Sequence, residues 1–189
     1  MSNIRRDDVD RFFEHGLHVP SRTIYLGGES TDRKFAEAAV KALHLLGRQK
    51  DEPVLILLNN PGGDEYHGLA VYDAICACKS YVTVRGYGHV MSMASWIMQA
   101  ADTREMSANA TMMIHYGGWE FDGHSKDAMR WAKEGERLNK LMEDHYLERI
   151  REKHSRYNRS KLQLLLAHDS FLTAKDAVAL GLTDKIVGE

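Results

Sequence analysis

A serine lies where a predicted strand ends and a predicted helix begins. In GYGHVMSMAS (residues 86–95) the helix starts near Ser92. The first N–H groups of a helix lack partners within it, and the helix dipole favours negative charge there. An attacking oxygen and a developing oxyanion would both be stabilised, so Ser92 is a candidate nucleophile. The plainer interpretation is a helix cap. Ser95, one turn further, is a weaker candidate because its side chain should be packed.

Two adjacent glycines follow another predicted strand. The segment NNPGG (59–63) comes directly after an apolar run. Gly62 and Gly63 allow backbone angles that other residues avoid, so a substrate or another segment could approach closely. A backbone N–H exposed there could donate to an oxyanion. A simple tight turn explains the same glycines.

A histidine and an aspartate are the remaining candidates. His115 ends the apolar strand of MMIHYGG (112–118), where an imidazole could act as a general base. Asp169 precedes FLTAKDA. Each has a structural alternative, because a lone histidine in a strand is more often a satisfied structural residue and an aspartate often caps a helix or turn. None of these signals is specific alone.

Alternating strands and helices must position these groups. The predicted strands are 22–28, 53–60, 81–88, 111–118 and 184–188, and the predicted helices are 9–17, 35–47, 66–80, 92–102, 161–169 and 174–181. The alternation predicts βαβ units, a mainly parallel sheet and the α/β class. The continuous apolar run PVLILLNN (53–60) is typical of a strand buried on both faces.

A long charged helix is predicted from Lys126 to about Lys153. Leu138, Leu141, Met142 and Ile150 share one face. The helix is longer than a crossover between strands requires. We therefore expect it to serve as an arm for subunit contact.

The composition excludes several classes of protein. The chain has 189 residues, 43% hydrophobic and 28% charged, which predicts one domain over residues 1–189. No window approaches the ~18 apolar residues of a membrane span, and the N-terminus lacks the apolar region of a secretory signal. A formal charge of −2 gives no basis for binding nucleic acid.

The two cysteines indicate neither a disulfide framework nor a zinc site. Cys76 and Cys78 stand alone as Cys-x-Cys within a predicted helix, where we expect them to pack. We accordingly expect a cytoplasmic protein with no metal, no membrane contact and no nucleic acid partner.

Taken in chain order, the motifs resemble those of the Clp protease proteolytic subunits (ClpP), which belong to the crotonase-like superfold. The likeness runs from Arg22 to about Val187. It is carried by RTIYLGG, NNPGG, GHVMSM, MMIH and HDSFLTAKDAVALGLTDKI.

The resemblance implies a role for each candidate. Ser92 would be the nucleophile, His115 the general base and Asp169 the carboxylate that orients the imidazole. The backbone N–H groups of Gly63 and Met93 would form the oxyanion hole.

The resemblance also implies an assembly. The fold would consist of repeated ββα and βαβ units with a protruding helical handle, here about 125–155, after an N-terminal segment, 1–21. Family members form heptameric rings, stack two rings into a tetradecamer and cleave unfolded chains in an enclosed chamber. An AAA+ unfoldase uses ATP to deliver substrate, and the proteolytic subunit needs no cofactor.

Several positions depart from the family pattern. His89-Val90-Met91 puts bulky side chains near the nucleophile, where they would reshape the cleft. Ala167-His168 replaces a pair used in ring contact, and Arg85 stands where an apolar side chain usually faces the unfoldase. These changes indicate a divergent or phage-borne member with a different partner or none. Trp119 could line the substrate groove.

Three other functions remain open. A crotonase-type acyl-CoA enzyme would share the fold but use a glutamate acid/base and a CoA pocket. A Ser-Lys peptidase would need a lysine in place of His115. An inactive, regulatory ring subunit would usually have lost members of the triad, and none is lost here.

Overall fold

The computed structural model describes residues 6–48, 52–118 and 120–188. The helices in these ranges are α1 (Arg6–His15), α2 (Arg33–Leu46), α3 (Glu65–Cys76), α4 (Met93–Met98), α5 (Ser125–Lys153), α6 (Arg159–Leu166) and α7 (Ala174–Leu180). The strands are β1 (Leu17–His18), β2 (Thr23–Gly27), β3 (Val54–Asn60), β4 (Val82–Met91), β5 (Thr103–Ser107), β6 (Thr111–Ile114), β7 (Ser170–Thr173) and β8 (Lys185–Val187).

The strands of the described residues form one sheet in the order β1-β2-β3-β4-β5-β8. Strand β6 also pairs with β4, and β7 pairs with β6. The pairs β1–β2 and β6–β7 are antiparallel, and the others are parallel. The predicted α/β class and mainly parallel sheet are therefore confirmed.

Strand β4 changes its neighbour halfway along its length. Its first half ends its pairing with β5 at Gly86 opposite Met106. Its second half begins pairing with β6 at His89 opposite Thr111. Gly88, between the two halves, has a φ of +54°, which suits a residue without a Cβ. The strand therefore extends to Met91, three residues beyond the predicted end at 88, and ends beside β6.

The apolar face of β3 is only partly as predicted. Val54, Ile56 and Leu58 are fully buried, whereas Leu55 and Leu57 between them are half-buried. The prediction that both faces of this strand are buried was therefore wrong for the single chain. One face of the strand belongs to the main core, while the opposite face is incompletely covered.

Helix α5 matches the predicted long helix almost residue for residue. From Leu138 onward one side is buried, including Met142 and Ile150. The first turns are exposed, and Met129 is 66% accessible. The helix therefore projects beyond the core at its N-terminal end. No helix in the described part of the chain is long and apolar enough to cross a lipid bilayer.

Other boundaries differ from the sequence predictions. The helix expected at 66–80 ends at Cys76, which is exposed, while Cys78 beyond it is half-buried, so the expectation that both pack on a helix was wrong. The helix expected at 92–102 ends at Met98. Strands β1, β5 and β7 were not predicted. Strand β5 reads TREMS, and its polar side chains conceal the strand pattern.

Buried Arg104 of β5 joins the C-terminal part of the fold. Its guanidinium contacts Asp184 at 2.5 Å and Glu152 of α5 at 3.2 Å. It also donates to the Gly181 carbonyl and to the Gln99 side chain, each at 3.3 Å. Burial opposes the ionisation of Asp184, but the hydrogen bonds from Arg104 hold the pKa of that carboxyl below its ordinary value.

We expect Arg104→Ala to lower the free energy of unfolding by about 2–4 kcal/mol, because two carboxylates lose a buried cation. Arg130→Ala is the control, since Arg130 is 80% exposed in its pair with Asp127 and should change stability by less than about 0.5 kcal/mol. Urea unfolding of both variants measures the difference. Equal stability of the two variants would contradict the role given to Arg104.

Candidate active site

Ser92 occupies a strained turn between β4 and α4. Its φ and ψ are 52° and −124°, and its N–H donates to the Met113 carbonyl of β6 at 2.8 Å. Its hydroxyl makes no capping hydrogen bond to the helix. Ser92 thus holds the N-cap position, but its side chain does not cap the helix and is available for another partner. Backbone strain of this kind is often found at functional sites.

The partner of the Ser92 hydroxyl is His115. The distance from Ser92 Oγ to His115 Nε2 is 2.8 Å. Because β4 and β6 are parallel neighbours, the residues that follow their ends lie on the same edge of the sheet. A hydroxyl that donates to Nε2 requires the imidazole proton to be on Nδ1.

The Nδ1 atom of His115 faces Asp169. The distance from Nδ1 to Asp169 Oδ1 is 2.9 Å. Strands β6 and β7 pair Ile114 with Ser170, so one further step of this antiparallel register places His115 opposite Asp169. Asp169 therefore neither caps a helix nor closes a turn. The structure brings the three predicted side chains into one hydrogen-bonded row.

The chain just after His115 is tied to the helices behind it. Tyr116 N–H donates to the Leu166 carbonyl at 2.8 Å, and its hydroxyl donates to Glu143 of α5 at 2.5 Å. Burial opposes the ionisation of Glu143, but hydrogen bonds from Tyr116, Arg159 and Gln163 keep its pKa below the ordinary value. A charged, fully paired group thus fixes the segment that carries the imidazole.

The glycine turn at Gly62 and Gly63 packs closely against Ser92 and its two neighbours in the chain. Thr31 N–H donates to the Gly62 carbonyl at 2.7 Å, and Asp64 N–H donates to the Thr31 carbonyl at 3.0 Å. These two hydrogen bonds use the Gly62 carbonyl and the Asp64 N–H, and they leave the Gly63 N–H out. Gly62 has a φ of +103°, and a Cβ placed on it would lie 2.6 Å from Ser92 Cβ and 3.0 Å from Met93 N.

Ser95 is packed, as expected. Its hydroxyl lies 2.6 Å from the Ser92 carbonyl and 2.7 Å from the Tyr146 hydroxyl, and the residue is fully buried. It therefore has no access to a substrate.

A cavity of about 480 Å³ opens in front of Ser92 and His115. Gly63 and Met93 also line it, so the predicted oxyanion donors share the cavity with the predicted nucleophile. Further lining residues that the sequence did not single out include Glu65, Trp96 and Met142. Glu65 could have been noticed because it directly follows NPGGD at the predicted start of a helix.

Two expectations about the cleft have different outcomes. Val90 is buried in the core, and none of His89, Val90 and Met91 lines this cavity, so the expectation that they reshape it was wrong. Trp119 lies outside the described residues. Within the described ranges, no group of three or more His, Cys, Asp or Glu side chains could hold a metal ion.

Comparison with known proteins identifies the class. The family model described as Clp protease matches residues 14–189. The chain therefore belongs to the Clp protease family, a family of serine-type endopeptidases.

Individual relatives agree with this assignment. A protein of Deinococcus radiodurans is 32% identical over 174 residues, covering 90% of this chain and 82% of that protein. One of Borrelia garinii is 32% identical, covering 95% and 92%. One of Borreliella afzelii is 31% identical, covering 95% and 90%. Each is named ATP-dependent Clp protease proteolytic subunit.

We expect Gly62→Ala to slow fluorophosphonate labelling of Ser92 by at least about 100-fold, because the new Cβ would displace the Ser92 side chain. Gly118→Ala is the matched control. Gly118 lines the same cavity, but a Cβ there would meet none of the described residues within 4 Å. Labelling rates are followed by mass spectrometry, and circular dichroism verifies that both variants fold. A folded Gly62→Ala protein that reacts as fast as the control would contradict the packing argument.

Proposed function

We propose that this chain hydrolyses peptide bonds by a Ser92–His115–Asp169 triad. The observation that carries the proposal is the continuous hydrogen-bonded row, 2.8 Å from Ser92 Oγ to His115 Nε2 and 2.9 Å from Nδ1 to Asp169. This is the arrangement by which an imidazole activates a serine hydroxyl.

Each step of the reaction uses one of these contacts. Ser92 Oγ attacks the peptide carbonyl carbon while His115 Nε2 takes its proton. Asp169 holds the proton on Nδ1 and stabilises the imidazolium that forms. The imidazolium then gives its proton to the departing amine, which leaves an acyl group on Ser92. Water, deprotonated by His115, hydrolyses this ester and restores the free hydroxyl.

The backbone N–H groups of Gly63 and Met93 would stabilise the tetrahedral oxyanion. Met93 N–H is the first of helix α4, where the orphan N–H groups of a helix favour negative charge. The Gly63 N–H is left out of the bridge to Thr31 and lies in the same cavity as Ser92. Each such donor contributes about 3–4 kcal/mol to transition-state stabilisation.

The alternatives fit the site less well. In a crotonase-type acyl-CoA enzyme, the serine–imidazole–carboxylate row would have no role. A Ser-Lys peptidase would need an amine where His115 places its imidazole. An inactive subunit would not need to retain all three side chains in contact.

The proposal extends to the assembly. We propose that the chain is one peptidase domain of a cytoplasmic Clp complex, needs no cofactor and degrades unfolded polypeptides. The subunits would form heptameric rings, singly or as a stacked tetradecamer, and α5 would serve as the handle between rings. Support comes from Phe121, just before α5, and from Met129 and Trp131 near the start of that helix, because exposed apolar side chains on a surface mark contact sites.

An AAA+ unfoldase is the proposed supplier of substrate. The relatives are named as subunits of an ATP-dependent protease, which supports an ATPase partner. Arg85, which departs from the family pattern, donates to Glu105 at 2.6 Å, and Lys185 contacts the same carboxylate at 2.9 Å. Two cationic side chains thus surround a buried carboxylate beside β4, which supports a partner different from those of typical members.

We expect Ser92→Ala and His115→Ala each to lower kcat for a fluorogenic peptide by about 10⁴-fold or more, because nucleophile and base act as a unit. Asp169→Asn should reduce it less, since Asp169 is 59% exposed and water can partly replace it. Steady-state hydrolysis with each purified variant measures these losses.

Ser95→Ala distinguishes the two serines, because this variant should still be labelled by a fluorophosphonate on Ser92. Substantial hydrolysis by folded Ser92→Ala would show that another group is the nucleophile.

We expect the purified protein to have about seven or fourteen times the subunit mass of 21.5 kDa. Met129→Asp, which places a charge on the exposed start of α5, should shift the distribution toward smaller species. Lys133→Asp, exposed on the same segment, is the control for added negative charge. Sedimentation velocity measures the masses, and a monomeric wild-type protein would contradict the assembly.

A further inference from the structure

One carboxylate oxygen in the cavity beside Ser92 has no partner among the residues that the structure describes. Glu65 is the first residue of α3, and its Oε2 atom is buried without a hydrogen bond to any of them. Leaving a buried polar group unpaired is costly, and more so for a charged one. An acidic residue at a helix start is ordinary, but Asp64 already accepts the His67 N–H at 2.8 Å as the cap. Capping therefore does not explain where the Glu65 side chain points.

The carboxylate packs against the chain that carries the imidazole. A Cβ placed on Gly117 would lie 2.5 Å from Glu65 Oε1. Gly117 is two residues after His115, and both line the same cavity as Glu65. A glycine at 117 thus leaves room for a carboxylate in the cavity wall.

The other walls near Ser92 are apolar. Met93, Trp96 and Met142 line the cavity and are each at most 7% exposed. The indole N–H of Trp96 already donates to His145 Nδ1 at 2.8 Å. An apolar wall with a carboxylate matches a side chain that has a methylene stem and a cationic end.

The charges around the cavity are negative. Asp64 lines it beside Glu65, and no lysine or arginine in the described part of the chain does. Arg137, on the neighbouring part of α5, donates two hydrogen bonds to Glu134, at 2.8 and 2.6 Å. The hydroxyl of Tyr66 donates to the same carboxylate at 3.0 Å. Arg137 is thus engaged by another carboxylate, and Glu65 is left for an incoming cation.

We propose that Glu65 determines specificity by selecting lysine or arginine as the substrate residue whose carbonyl Ser92 attacks. The cationic end would donate a charge-assisted hydrogen bond to Oε2, and its stem would lie against Trp96 and Met142. This inference rests on the proposed peptidase function and names the substrate class of that same site.

The test compares peptides that differ only in charge before the scissile bond. Fluorogenic peptides ending in lysine, arginine or the uncharged norleucine are hydrolysed by the wild-type protein, by Glu65→Gln and by Asp64→Asn. We expect the wild type to prefer lysine to norleucine in kcat/KM by about tenfold or more. Glu65→Gln should lower that ratio at least about tenfold.

Asp64→Asn is the matched control for a change of charge in the same cavity. It keeps a side chain able to cap α3 and should keep most of the preference for lysine. A similar loss in both variants would show that the general field, and not the Glu65 carboxylate, selects the substrate. That result would overturn the proposal.

The pH dependence of the same ratio gives a second test. Burial, and then the charges of Asp64 and Glu134, raise the pKa of Glu65 above its ordinary value. The carboxylate therefore becomes neutral on acidification earlier than an ordinary glutamate, and the preference for lysine should decline with it. A pH effect on the chemical step that the two peptides share cancels in the ratio. In Glu65→Gln the ratio should not change over this range.

Two kinds of failure are distinguishable. A wild-type protein that is labelled on Ser92 by a fluorophosphonate but shows no preference for lysine over norleucine would overturn the role of Glu65 alone. A folded, assembled protein that neither reacts with the probe nor cleaves any of the peptides would overturn the proposed peptidase function, and the inference with it.

Discussion

The site depends on the change of neighbour within strand β4. If β4 ended with its pairing to β5, at Gly86, the chain would turn back well before Ser92. The three further pairs with β6 extend β4 to Met91, and they place Ser92 and His115 at the same edge of the sheet. Strand β7 adds Asp169 through its register with β6. The candidate triad is thus a consequence of strand pairing. The hydrogen bond from the Ser92 N–H to the Met113 carbonyl holds Ser92 against β6.

Buried charges hold the elements that surround this edge. Arg104 connects β5, α5 and the segment before β8, and Glu143 connects α5, α6 and the residue after His115. Each charge is compensated by several partners, so removing either charge would leave those partners unpaired. Glu65 differs from both, because one of its oxygens is buried without a partner in the described ranges. That difference is why we assign it to substrate recognition and not to structural support.

Much of the fold was predictable because its signals are local. Helical spacing predicted α5 within a residue, and the apolar run at 53–60 predicted β3. The polar strand β5 was not predictable, since Arg104 and Glu105 are buried only through partners distant in sequence. Helix α4 is shorter than the apolar pattern suggests, because that pattern continues through buried residues after the helix ends.

In the site, too, local sequence signals were predictable and contacts between distant residues were not. Residue types alone left a plainer interpretation for Ser92, His115 and Asp169, and the family resemblance singled them out together. The contact between His115 and Asp169 requires the pairing of β6 with β7, and β7 is too short to predict. Glu65 was missed because its close approach to Gly117 joins residues that lie 52 positions apart in the chain.

A crystal structure of the protein after reaction with a peptide boronate would test the central claim most directly, because boron forms a tetrahedral adduct that imitates the attacked carbonyl. We expect a covalent bond from Ser92 Oγ to boron, with one boronate oxygen within hydrogen-bond distance of the N–H groups of Gly63 and Met93. A boronate bonded to another residue would contradict the proposed mechanism, as would an adduct on Ser92 whose oxygens face away from both N–H groups.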